Sequence, residues 1–269
     1  MEIGFKKYIM RKYHPFHLVD ASPWPIVLSG SLLTLVIGGI IFMHYNKIQI
    51  LILGLLLSAS SMYLWFRDIV REGTYLGYHN SYVTKGLKIG MILFIVSEIC
   101  FFFSFFWAFF HSSLSPTADI SFNWPPDHIV VLNIFHHPIV NTILLLFSGL
   151  TVTICHHSLV NGDREKSIDS MIATLILGSL FLLIQFIEYK SSTFCFADGI
   201  YGSTFFMLTG FHGLHVMVGT ILLYISLIRL ADYQFSRHHH FGFEASVWYW
   251  HFVDVVWLFL VLCIYWWGS

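Results

Sequence analysis

The feature that most constrains this chain is the stretch Gly90–Phe110, GMILFIVSEICFFFSFFWAFF, 21 residues of apolar and aromatic side chain broken by one charge, Glu98. At about 1.5 Å per residue it is long enough to cross the hydrocarbon core of a bilayer as a helix. Glu98 then sits well inside that core, where a carboxylate is costly and the neutral acid is favoured. Two readings follow: a hydrogen-bonded packing residue that keeps its proton, or an acid with a part in function. No Lys or Arg lies within the run, and Lys88 is the nearest basic residue in sequence.

Six further apolar runs accompany it: Ile26–Met43, Ile48–Phe66, Ile139–Ile154, Ile168–Ile187, Tyr201–Ile228 and Val247–Trp267. Only 11% of the residues are charged, against about 25% in a soluble domain. The fold class expected is therefore an all-α membrane protein with seven transmembrane helices, since backbone groups in lipid must be satisfied within the segment. The fourth run is short and needs its flanks, Pro138 and Cys155–His157. The loop from His111 to Pro138 contains Pro116, Pro125 and Pro126 and no Lys or Arg, and is expected to be ordered.

Loop charge tests the count. With seven spans, 12 of the 14 Lys and Arg residues fall on the amino-terminal side and only Lys47 and Lys190 on the other. The positive-inside rule then puts the amino terminus in the matrix or cytoplasm and the carboxyl terminus outside. Trp107, Trp124, Trp266 and Trp267 fall near the outer interface, as aromatic belts do. The first residues show no apolar segment followed by a small-residue cleavage site, so no secretory signal is expected. A net charge of −1 implies no nucleic-acid partner. Cys100, Cys155, Cys195 and Cys263 are scattered, which suggests buried free thiols without disulfides or a cysteine metal site.

Four constellations remain. His212 and His215 share a helical face, which admits either a metal site or close packing among Gly210, Gly213 and Gly219. Two histidines alone make a weak site, and His136–His137, His156–His157 and His238–His240 lie at membrane boundaries, so no metal is expected. Trp65, Arg71, His79 and Arg229 mark one leaflet, either as lipid head-group ligands or as topology-setting charge. His251 and Asp254 share a face and read as a hydrogen-bonded pair or as part of a polar path.

The motifs HPFHLVDASPWP, WFRDIVREGTYLG, VSEICFFFSFFWAFFHSSLSP, HHSLVNGDR, DGIYGSTFFMLTGFHGLHV and FGFEASVWYWHFVDVVWLFLVLCIYWWGS resemble subunit III of cytochrome c oxidase, in its mitochondrial form, from His14 to Ser269. The resemblance implies a two-helix pair and a five-helix bundle separated by a V-shaped, lipid-filled cleft. The corresponding segments are an amino-terminal piece (1–25), helices 1–2 (26–72) and helices 3–7 (73–269). It implies a non-catalytic core subunit of a proton-pumping oxidase in the mitochondrial inner membrane, with no cofactor of its own, haem and copper in partner subunits, and bound phospholipids. The partners implied are subunit I above all, then subunit II, small accessory subunits and a respiratory supercomplex. The family's intramembrane acid maps onto Glu98, and its lipid-contacting positions onto Arg71, His79 and Arg229, with Trp65 beside them. A transporter driven by Glu98 and a membrane metalloenzyme are the rival classes. The first would show broken helices in symmetric halves and the second would need more ligands.

Overall fold

The computed structural model describes residues 16–268; the basic residues Lys6, Lys7, Arg11 and Lys12, like His14 and Ser269, lie outside them. Seven helices run through the described residues: α1 (Trp24–Tyr45), α2 (Gln49–Thr74), α3 (Ser81–Leu114), α4 (His137–Asn161), α5 (Arg164–Ser191), α6 (Gly199–Ala231) and α7 (Phe241–Leu260), the last continuing as a wider π-type turn over Val261–Trp266. All seven are long and apolar enough to cross a membrane, as the seven apolar runs predict. The short fourth run does borrow its flanks, extending to Asn161.

Local signals explain the ends. Pro25 sits in the first turn of α1, where its missing N–H is no loss. Asn46 takes a left-handed conformation (φ 54°) and donates its N–H to Phe42 O, stopping α1. The Asn80 side-chain oxygen accepts from the Tyr82 and Val83 N–H groups at the start of α3, and Asp163 accepts from the Lys166 N–H at the start of α5. The Arg164 guanidinium donates to the Leu230 and Ala231 carbonyls that end α6.

By its internal contacts the chain divides after Leu87 into two compact units. In the first, α1 packs on α2. Gly38 and Gly54 permit this: a Cβ on either would come within 2.6 Å and 2.5 Å of the other helix's backbone, at Leu51 and Leu35. Between the two glycine contacts and the helix ends, the Ser31 and Ser61 hydroxyls approach to 3.4 Å while each donates back to its own helix.

In the second unit, α4 packs on α5 and α7, and α6 on α5 and α7. Trp250 of α7 lies at its heart. Its ring rests on Gly178 of α5 and Gly219 of α6, where a Cβ would come within 2.6 and 2.9 Å, and its Nε1–H donates to Ser148 Oγ of α4 at 2.9 Å. Trp257, one helical repeat further, donates to Thr142 Oγ1. The part of α3 in this unit meets α6 and α7 through rings rather than close backbone approach: Phe101 and Phe105 on Phe211, Phe102 on His215 and Phe252. Large side chains at the contact hold helix axes apart.

The long loop is ordered. Ile129 is buried, Trp124 packs on Phe109 and Tyr201, and Thr193 Oγ1 donates to Val130 O. One sequence expectation is corrected. All four cysteines are free, but only Cys155 is buried, while Cys100 and Cys195 are exposed. An apolar run does not say which helical face turns inward, and Cys100 lies off the Phe101–Phe102 face that meets the bundle.

Candidate functional site

Glu98 has a partner. Its Oε2 lies 2.8 Å from His215 Nε2 on α6, 117 positions away in sequence. The side chains retain 22% and 9% of their accessibility, so the contact is largely shielded. His215 Nδ1 is 2.6 Å from Phe211 O; a carbonyl only accepts, so this nitrogen carries a proton and donates it. Phe101, Phe102, Tyr249 and Phe252 surround the ring.

The metal reading of His212 and His215 fails on this geometry. His212 turns to α7, with Nε2 3.1 Å from Val253 O and its ring against Phe181 and Trp257. The two histidines share a helical face but serve different neighbours.

Trp65, Arg71 and His79 belong to the first unit. Asp68 organises their surroundings: it accepts from Trp24 Nε1 at 2.6 Å and from the Arg67 Nε and Nη2, with Arg71 Nη1 at 3.9 Å. Arg71 keeps 58% of its side-chain accessibility, and Trp65 is half-buried. His79 sits over Gly73, which leaves room for its ring, and edges onto His17 at 5.3 Å. His17, Glu72 and His79 bring their ligand atoms within 4.8 Å of one another. Arg229 belongs to the second unit. Its Nε donates to Gln234 Oε1 at 3.1 Å, its guanidinium lies over the Phe235 ring, and Gly242 makes room for it.

His251 and Asp254 do not hydrogen-bond to each other. Both flank Gly149 of α4, and His251 Nε2 stands 3.5 Å from Thr153 Oγ1. Three-residue spacing aims both at α4, and α4 supplies the histidine's partner.

Sequence reasoning missed a second acid. Glu188 of α5 is fully buried. Its Oε1 accepts from Tyr265 Oη at 2.6 Å and Gln185 Nε2 at 3.2 Å, and Gln185 Oε1 accepts from Asn141 Nδ2. With Leu132, His136 and Pro138 it lines a cavity of about 300 Å³. Glu188 follows Ile187 at the edge of an apolar run and precedes Tyr189 and Lys190, so in sequence it resembles an interfacial charge. Its spacing of three from Gln185 was the available signal.

A sequence model of the family described as cytochrome c oxidase subunit III matches residues 14–269. The chain belongs to this family. It is 54% identical over 260 residues to the cytochrome c oxidase subunit 3 of Pisaster ochraceus, covering 97% of this chain and all of the relative. Identity to that of Branchiostoma lanceolatum is 53% over 256 residues, 95% and 98% of the two chains. Identity to that of Chondrus crispus is 55% over 258 residues, 95% of each. The chain is thus a membrane subunit of a terminal oxidase complex and works with other oxidase subunits.

Proposed function

We propose that this chain is the non-catalytic subunit that covers a flank of the oxidase's haem–copper subunit, holds phospholipid and supports proton supply without carrying electrons. It lies in the mitochondrial inner membrane with the amino terminus in the matrix and the carboxyl terminus in the intermembrane space. The haem and copper that oxidise cytochrome c and reduce dioxygen belong to partner subunits, subunit I as the main contact and subunit II beside it.

One observation carries the reading. Within its most apolar window α3 buries 6% of its residues inside the chain, against 56% for α7. Leu93, Phe103 and Trp107 are more than 60% exposed on α3, and Leu33 and Leu56 on α1 and α2. Such faces are covered by lipid chains or by another protein. Arg71, His79 and Arg229 are the head-group ligands in this reading, with Trp65 at the interface.

The Glu98–His215 pair acts through one shared proton. With Nδ1 already donating to Phe211, a neutral ring offers only a lone pair at Nε2, so the carboxyl must donate. In that form neither member carries a charge, whereas the same proton placed on Nε2 would put two opposite charges in a low-dielectric site.

The test is purification of the tagged chain from native membranes. Haem-bearing partners should accompany it, and stripping it from the complex should leave the haems in place while shortening the number of turnovers before inactivation. Isolation of the chain free of haem proteins would favour a transporter and overturn the reading.

A further inference from the structure

Where α4 ends and α7 begins, three ligand-type side chains converge, His156 from α4 and His240 and Glu244 from the start of α7. His156, His240 and Glu244 bring one ligand atom each within 4.8 Å of one another. His240 is buried at 8% exposure, and His240 Nε2 is 3.5 Å from Glu244 Oε1. We infer that these residues bind a single divalent cation of the zinc class, a site separate from the Glu98–His215 pair and contrary to the expectation that this chain holds no metal.

The surroundings are those of a ligand set. His240 Nδ1 lies 2.8 Å from the Ser236 carbonyl, which fixes the proton on Nδ1 and leaves the Nε2 lone pair turned to the cluster. Backbone carbonyls commonly orient metal-binding histidines in this way. Glu244 is held from its other side: Oε2 is 2.6 Å from Lys88 Nζ, leaving Oε1 toward the histidines. The His156 ring stands 5.6 Å from the His240 ring and 5.6 Å from Phe243, so it is restricted too.

Two imidazoles and one carboxylate oxygen suit zinc and its neighbours over magnesium or calcium, which prefer all-oxygen shells. Three protein ligands leave a fourth position for water. Ligand atoms about 2.0–2.2 Å from a tetrahedral ion stand roughly 3.3–3.5 Å apart, so His240 Nε2 and Glu244 Oε1, 3.5 Å apart, already have that spacing, and His156, within 4.8 Å of both, completes the set by a small inward movement. The bound ion ties the end of α4 to the start of α7 and, through Glu244 and Lys88, to α3.

The experiment uses the purified oxidase complex, stripped with a chelator and titrated with zinc chloride in the presence of excess magnesium. Elemental mass spectrometry should count one more tightly held zinc in the wild type than in His156→Gln/His240→Gln, or an affinity at least tenfold weaker in the variant. Equal zinc uptake and affinity would overturn the assignment. If the variant does not assemble, anomalous density from zinc-soaked wild-type crystals decides: a peak bonded to His156, His240 and Glu244 supports the site, and its absence while other zinc positions fill rejects it.

Discussion

Replacing Glu98 by Gln tests the proton arrangement quantitatively. The contact is a single hydrogen bond of 2.8 Å, and a neutral bond of this kind contributes about 0.5–1.5 kcal/mol net. A glutamine amide has the same size and can donate to His215 Nε2 in place of the carboxyl O–H. The expected loss is therefore below about 1 kcal/mol, or less than about fivefold in any rate it governs. An imidazolium facing a carboxylate would behave otherwise. Removing one member of a buried ion pair costs about 3–5 kcal/mol, roughly 150-fold or more. The assay is the rate at which the chain leaves the detergent-solubilised complex at raised temperature, followed by native mass spectrometry. Glu98→Ala is the contrasting variant: it leaves the Nε2 lone pair unpaired beside a void, for an expected loss of about 2–4 kcal/mol. Release of Glu98→Gln more than a hundredfold faster than wild type, or an infrared carboxylate band at pH 7 that disappears in this variant, would refute the shared-proton account.

Arg71→Ala combined with Arg229→Ala should lower the phospholipid retained per complex, and unchanged lipid in native mass spectrometry would reject those residues as head-group ligands. Single cysteines at Asn80 and Asn123 should show opposite labelling by an impermeant thiol reagent in mitoplasts, Asn123 reacting and Asn80 protected; the reverse pattern inverts the topology. Glu188→Ala strands the Tyr265 hydroxyl and the Gln185 amide, so it should weaken the second unit by about 2–4 kcal/mol, measured as a lower temperature of chain release. Gly178→Ala drives a methyl group into the Trp250 ring and should cost about 1–3 kcal/mol in the same assay.

The sequence was most informative where one residue type suffices to decide. Long apolar runs have one outcome in lipid, so all seven helices were legible, with ends shifted by capping at Asn46, Asn80 and Asp163. Partnerships were not. Glu98 and His215 were each singled out, yet nothing in a linear reading joins residues on α3 and α6 across 117 positions. His156 and His240 both looked like boundary histidines because helical period relates residues only within one helix. His251 and Asp254 show the converse: a shared face was read correctly, but it turned both toward α4 rather than toward each other. Exposure of Cys100 was hidden for the same reason, since α3 is apolar on every side.

The position of Trp250 has a consequence for biogenesis. Its indole fills a slot floored by Gly178 and Gly219 and hydrogen-bonds Ser148, while Trp257 partners Thr142 and Tyr265 partners Glu188. All three donors come from α7 and its continuation, which follow α4 and α5 in the chain, and their partners are on α4 and α5. Until α7 inserts, the nascent subunit carries an open groove in which Glu188 lacks its phenol partner, and an unpaired acid at membrane depth is costly. A premature stop ahead of Phe241 would therefore remove more than one span. It would leave α4, α5 and α6 without their keystone, so such products should be degraded rather than accumulate as shortened subunits.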